Sequence, residues 1–233
     1  MIMLQYHNFL NRLELSVGED GIQALKSKSV FILGIGGVGG YVCEALARSG
    51  VGRLVLVDSD IIDVTNINRQ IIATHSTVGR KKVEVMKERI FDINPECIVE
   101  IYDLFLEDDL SILDRIGVDF VIDCCDTVST KKNIISYCTR TNVPFITCLG
   151  TAKKFDPSLL EITELSKTYN DPLARILRKY VKDNHIFSKV PVCFSRELPA
   201  NVERLGSTAF VPSSASLLIA SYVVDKFICN MKK

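Results

Sequence analysis

The run Gly34-Ile35-Gly36-Gly37-Val38-Gly39-Gly40 follows directly on Ser29-Val30-Phe31-Ile32-Leu33, and that order constrains the fold more than any other feature. The apolar stretch is rich in β-formers and reads as a buried parallel strand, and residues 41–49 continue at helical spacing. Strand, glycine turn and helix together make the dinucleotide-binding fingerprint. The glycines let backbone N–H groups approach phosphate, and the helix N-terminus adds partial positive charge. Close helix–strand packing alone meets the same pattern. A second strand, Arg53–Val57, ends in Asp58, near the ~20-residue offset of a carboxylate that accepts ribose hydroxyl hydrogen bonds. To this point a nicotinamide dehydrogenase fits equally well.

Strands near 29, 53, 98, 119 and 144 alternate with helices near 40, 80, 108 and 130, which predicts an α/β fold with a Rossmann-like, doubly wound, mainly parallel sheet. Beyond Gly150 the pattern changes to a strand over 159–163, a helix over 171–181 and a strand over 190–194, expected as antiparallel C-terminal additions at a sheet edge. Pro191 lacks a ladder donor, which favours an edge position for the last of these. The apolar run 217–224 falls short of the ~20 residues a membrane span needs and reads as a closing core helix. The length suits one domain over 1–233, with 151–233 as a substrate-specificity extension.

Polar residues then crowd the carboxyl ends of the strands, where ligands sit in such sheets. Asp60, Asn66, Asn68, Arg69 and Gln70 follow the second strand, Lys82 opens a helix, and Asp126 follows the strand Phe120–Asp123. Arg69 offers a forked cation for phosphate oxygens. Asp126 offers a hard oxygen ligand suited to magnesium, which takes one or two carboxylates plus phosphate oxygens. Each has a plainer reading. Asp58 can be a strand-end carboxylate, Lys82 a solvated charge, and Asp123 or Asp126 a cap for the helix beginning near Ser129. Hydride transfer, however, needs none of these groups.

The glycine loop, Asp58 with Asp60, the Asn66-Ile67-Asn68-Arg69-Gln70 block, Lys82 and Asp126 resemble the adenylating enzymes related to ubiquitin-activating enzyme. A second block resembles one branch of them, the tRNA threonylcarbamoyladenosine dehydratases: Phe155-Asp156-Pro157, Thr163 to Thr168, Asn170-Asp171-Pro172-Leu173-Ala174 and Cys193-Phe194-Ser195-Arg196-Glu197. The resemblance implies ATP held by Gly34, Gly36, Gly37, Gly39 and Asp58 with Asp60, Asn66 and Gln70. It implies catalysis by Arg69, Lys82 and Asp126, with Asp126 holding Mg2+. It also implies a homodimer in which Arg12 enters the neighbouring subunit's triphosphate site; a plain surface arginine is the competing reading. The activity it implies is ATP-dependent cyclisation, with loss of water, of threonylcarbamoyladenosine in tRNA through an acyl-adenylate. The alternative is an adenylyltransferase acting on the C-terminus of a ubiquitin-like sulfur-carrier protein.

Two Cys-x-x-Cys pairs mark the zinc-binding branches, and this sequence has none, which argues against zinc and against that alternative. Eight cysteines without framework spacing and no signal-like N-terminus point to a reducing, cytoplasmic setting without membrane attachment. Cys193 lies where a reactive thiol would be sought, though a buried strand cysteine is the plainer reading. A cysteine-desulfurase sulfur-relay partner is left open. His7, His75 and His185 lack ligand spacing. The formal charge is zero, with 28 basic and 28 acidic residues, so the global field predicts no nucleic-acid affinity. A local basic group, Lys153, Lys154, Arg175, Arg178, Lys179, Lys182 and Lys189, is either a solvated face or a phosphate-contacting surface for tRNA.

Overall fold

The structure, a computed structural model, describes residues 9–107, 110–204 and 206–229. In chain order α1 (Asn11–Lys26), β1 (Ser29–Leu33), α2 (Gly39–Arg48), β2 (Arg53–Val57), α3 (Lys82–Ile93) and β3 (Ile98–Tyr102) form the first half. Then come α4 (Ser111–Ile116), β4 (Phe120–Asp123), α5 (Val128–Thr141), β5 (Phe145–Cys148), β6 (Leu160–Glu164), α6 (Pro172–Asp183), β7 (Pro191–Ser195) and α7 (Phe210–Cys229). One sheet orders the strands β3-β2-β1-β4-β5-β7-β6. All neighbours are parallel except β6, which runs antiparallel to β7.

Strand residues alternate between two apolar layers because successive side chains point to opposite faces. Val30, Ile32, Leu54, Leu56 and Ile122 meet Leu25 of α1, Val42 and Leu46 of α2, Met86 and Ile90 of α3, and Ile219 and Val223 of α7. Phe31, Leu33, Val55, Val57 and Val121 face Ile112 and Leu113 of α4, Ile134 and Ile135 of α5, and Ala174 and Leu177 of α6. Burial on both faces explains why β1 and β2 read as continuous apolar runs. Helices on both faces and the reversal of strand order at β1 leave a crevice beyond the carboxyl ends of β1, β2 and β4.

Two local expectations change, and one helix is added. β7 is not an edge strand: it lies between β5 and β6, pairing parallel with the first and antiparallel with the second. Pro191 is tolerated there because it is the first residue, and the β5 ladder begins only at Val192. The edge on this side is the half-buried β6, and the opposite edge is β3. The C-terminal apolar helix runs 20 residues, Phe210–Cys229, and so is long and apolar enough by composition to cross a membrane. One side of it, including Val211, Ala215, Ile219 and Val223, is buried in the core. The N-terminal helix α1, which lacks a clean apolar stripe, is interrupted at Gly18 with φ +76° and packs against α7.

Candidate active site

Two glycines fix the turn between β1 and α2. Gly34 has φ +85°, and a Cβ there would sit 2.9 Å from the Cys125 nitrogen. At Gly39 a Cβ would lie 1.8 Å from the Gly34 carbonyl oxygen, a distance no side chain survives. The turn therefore presses backbone on backbone and places the α2 N-terminus, with its partial positive charge, at the carboxyl edge of the sheet, although the Gly40 N–H is already given to the Gly36 carbonyl at 3.1 Å. Asp58 braces this turn: its Oδ2 accepts the Ile35 N–H at 2.6 Å and its Oδ1 accepts the Asp60 N–H at 2.8 Å. A carboxylate has about four acceptor sites, so two of these bonds leave capacity for ribose hydroxyls. Burial pushes the Asp58 carboxyl above the usual carboxylate range, against the pull of the Lys82 charge.

The polar block closes on the same turn. A Cβ on Gly36 would stand 3.8 Å from Gln70 Nε2, and one on Gly37 would stand 3.5 Å from Arg69 Cγ. Arg69 Nη1 donates to the Thr65 carbonyl at 3.0 Å and to Asn68 Oδ1 at 2.9 Å, which aims the guanidinium. Asn66 is spent on local structure, its Oδ1 accepting the Asp63 N–H at 3.1 Å in a capping box. Gln70 is 6 % exposed and its Oε1 has no hydrogen-bond partner. Lys82, at the first turn of α3, is buried and reaches Asp60 Oδ2 at 2.6 Å. Asn68 Nδ2 donates to the Ser207 carbonyl at 3.0 Å, so the segment before α7 folds over this end of the sheet.

Asp126 lies on the loop after β4, adjoining the Cys124–Cys125 backbone that touches Gly34, and is exposed. Neither Asp123 nor Asp126 caps α5, whose N-cap is Thr127 without a side-chain bond. Asp123 does something sequence reading missed. Fully buried, it accepts the Cys125 N–H at 3.1 Å and pairs through Oδ2 with Lys131 Nζ at 3.0 Å. Lys131 also donates to Thr147 Oγ1 at 3.1 Å and to the Cys148 carbonyl at 2.7 Å, and Thr147 Oγ1 bonds Asp123 in turn. Burial works to discharge Lys131, but the Asp123 carboxylate together with the neighbouring Cys125 and Cys148 sulfurs outweighs it and holds the ammonium above its ordinary range. This network ties the Asp126 loop to the end of β5. The only sequence signal was an Asp at a strand end eight positions before a Lys on the next helix.

Other candidates separate from the cluster. Arg12 is exposed at the start of α1, and among the described residues no hydrogen bond or ion pair joins it to the crevice. Lys154 is no surface residue: it is 1 % exposed, 3.6 Å from Asp171 and 3.4 Å from the Ser195 carbonyl. Its polar partners compensate an ammonium that would otherwise be too expensive to bury. Lys153 is turned to the Val202 carbonyl. Cys193 is buried, and its hydrogen bond with Cys148, together with burial, pushes its thiol up, the opposite of an activated nucleophile. His75 and His185 are exposed, and His7 lies outside the described residues. Among the described residues no three acidic, His or Cys groups cluster as a metal cage. A cleft of about 500 Å³ lies at the opposite end of the sheet, but two of its lysines are already engaged, Lys28 with Asp119 and Phe227, and Lys226 over Tyr222.

The crevice thus joins backbone donors, a carboxylate for a sugar, a fork cation and a buried ammonium, a set suited to a nucleoside triphosphate. A family model described as the ThiF family matches residues 10–224. The chain belongs to the ThiF family. Among relatives, this ThiF-family chain is 40% identical over 238 residues to the tRNA threonylcarbamoyladenosine dehydratase of Bacillus subtilis (strain 168), an alignment covering 94% of this chain and 93% of that protein. Among solved structures, the E. coli tRNA N6-threonylcarbamoyladenosine dehydratase, TcdA, in complex with ATP superposes with a TM-score of 0.93 at 34% identity, covering 100% of this chain and 98% of that one. The complex of the same enzyme with AMP gives 0.90 at 36%, covering 94% of each chain. The family and branch expected from the glycine loop and the two sequence blocks are therefore met.

Proposed function

We propose that this chain is an ATP-dependent tRNA threonylcarbamoyladenosine dehydratase that works through an acyl-adenylate. The observation that carries this reading is the convergence of the glycine turn, Asp58, Arg69 and the Lys82–Asp60 pair at one crevice, in a chain similar along nearly its whole length to dehydratases solved with ATP and AMP.

The amides at the start of α2 take phosphate oxygens, and Asp58 takes the ribose. The threonylcarbamoyl carboxylate attacks the α-phosphorus, its new O–P bond forming as the bond to pyrophosphate breaks. Negative charge gathers on phosphate oxygens in that transition state, and Arg69 and Lys82 stabilise it electrostatically. The carbamoyl group of the same side chain then captures the activated carbonyl and expels AMP, so the overall change is loss of one water. Capture within one side chain gains effective concentration and needs no thioester-forming cysteine, consistent with the buried, unactivated Cys193. Gln70, with its buried unpaired Oε1, serves as an orienting acceptor. Asn66 supports the block through its capping box.

Magnesium fits the donor set: Asp126 presents one exposed carboxylate beside the crevice, which would hold the ion together with phosphate oxygens and water. When bound, magnesium neutralises triphosphate charge. The site is completed in a homodimer by Arg12 of the neighbouring subunit, which explains why Arg12 stands apart in its own chain. The chain acts as one domain, with residues 151–233 recognising substrate, and the eight free cysteines suit a reducing, cytoplasmic setting.

The test is mass analysis of tRNA nucleosides after incubation with threonylcarbamoyl-modified tRNA and ATP. A nucleoside lighter by one water is expected, with Arg69→Ala and Asp126→Ala folded but inactive. Unchanged nucleosides beside pyrophosphate exchange driven by a Gly-Gly-tailed carrier protein would transfer the chain to the adenylyltransferase branch.

A further inference from the structure

Outside the crevice, α6 carries an uneven charge distribution. Its inner side is fully committed: Ala174 and Leu177 are buried, Tyr180 shares a 2.8 Å hydrogen bond with Ser136 Oγ, and Arg178 Nη1 donates to the Thr168 carbonyl at 2.8 Å. Arg175, Lys179 and Lys182 remain, all exposed, at i, i+4 and i+7 spacing that puts them along one face. Among the described residues no ion pair reaches any of the three, not even between Lys179 and Asp183 one turn on. Of the other basic residues of this region, Lys154 and Lys153 make the bonds already described and Lys189 pairs with Glu164 at 3.5 Å, while Lys167, on the turn packed against α6, is exposed. In a chain of zero formal charge, three unneutralised cations in a row are a local departure.

The helix is also aimed. Its N-cap Asp171 is buried, with Oδ1 accepting the Ala174 N–H at 2.9 Å and Oδ2 lying 3.6 Å from where a Cβ on Gly150 would be. Gly150 follows the carboxyl end of β5, so α6 begins at the same carboxyl edge of the sheet that holds the crevice, two strands along from β1.

We propose that the Arg175–Lys179–Lys182 face of α6 docks the phosphate backbone of the RNA substrate next to the reacting nucleotide. This rests on the dehydratase reading. From Arg175 to Lys182 the face spans about 10 Å of helix axis, enough for about three phosphates of one strand at an axial spacing of ~3.4 Å. Exposed cations contribute through release of counterions and set position without reading sequence. The crevice then needs to select only the modified nucleotide.

The test compares wild type with the triple variant Arg175→Gln/Lys179→Gln/Lys182→Gln and with Lys87→Gln on the opposite layer, by filter retention of tRNA across a salt series. The triple variant keeps its Tm within a few degrees and its ATP affinity, binds tRNA about ten-fold more weakly at low salt, and loses about three from the slope of log K against log salt. In turnover its KM for tRNA rises about ten-fold at unchanged kcat, whereas a modified trinucleotide too short to reach α6 is used equally by both proteins. Lys87→Gln behaves as wild type. A triple variant with wild-type slope and KM overturns the proposal, as does one that keeps tRNA binding but loses binding to anionic phospholipid vesicles. If wild type binds tRNA without dehydrating it, the proposed reaction fails and the slope comparison still decides the docking face. If wild type binds no tRNA, both fall.

Discussion

Lys82 Nζ lies 2.6 Å from Asp60 Oδ2, and the two groups differ sharply in setting: the lysine side chain is 6% exposed and the carboxylate 65%. Asp60 can therefore let go toward solvent while Lys82 cannot, and an incoming phosphate can replace the carboxylate as its partner. Lys82→Met, which keeps the buried volume, lowers the rate of AMP release by about 10²–10³, the size expected for removing one electrostatic stabiliser. Asp60→Asn is milder, because Lys82 stays where it is. Single-turnover AMP formation measures both, and equal losses in the two variants would remove Lys82 from its special place.

Arg69 is held by two acceptors, the Thr65 carbonyl and Asn68 Oδ1. A lysine keeps the charge but loses the planar fork, so Arg69→Lys retains ATP binding within a few-fold while kcat falls at least about ten-fold. Isothermal titration with ATP beside turnover assays separates the two. Full activity in the lysine variant would reduce Arg69 to a point charge.

Much of this was legible in the chain. The strand, glycine turn and helix from Ser29 to Arg48 follow from local pattern, because burial on both faces produces continuous apolar runs and because close backbone contact demands glycine. The cluster at the crevice was legible because its members lie near strand ends, and topology alone gathers strand ends. Pairs made across the fold were not. Nothing near Lys154 announces Asp171, 17 positions on, so a buried ammonium read as a surface charge. β7 was misplaced for a related reason: Pro191 marks a missing donor but not whether a ladder needs it there. Arg12 stays apart from the crevice in its own chain, and no local pattern around it announced that.

The buried Lys131–Asp123 pair makes a stability prediction. Lys131→Met leaves a carboxylate without its counter-charge in the core, which costs about 3–5 kcal/mol. Pairing it with Asp123→Leu removes the stranded charge and recovers part of the loss, although the Cys125 N–H is then unbonded. Urea midpoints of the single and double variants check this. A double variant less stable than the single would show that Asp123 matters mainly through its backbone bond.

Glu44 on α2 is 8% exposed and accepts hydrogen bonds from Arg89 Nε at 2.5 Å and Arg48 Nε at 2.7 Å, joining α2 to α3. Burial works to raise its carboxyl, and the Arg89 and Arg48 hydrogen bonds outweigh that, so the folded value lies below the ordinary one. A depressed acid contributes stability that is fully present above the unfolded pKa of about 4.3 and is lost as pH falls through the folded value. Glu44→Gln is therefore less stable than wild type by about 1–2 kcal/mol at neutral pH, and the gap closes below about pH 4. Denaturation curves from pH 3 to 7 would show it; a gap that widens toward acid contradicts the sign.

The 1.8 Å approach at Gly39 reaches beyond the folded chain to the gene. A codon there tolerates drift only in its silent third base, since every missense change forces a side chain against the Gly34 carbonyl. The start of α2 is a place where heredity has almost no room to wander.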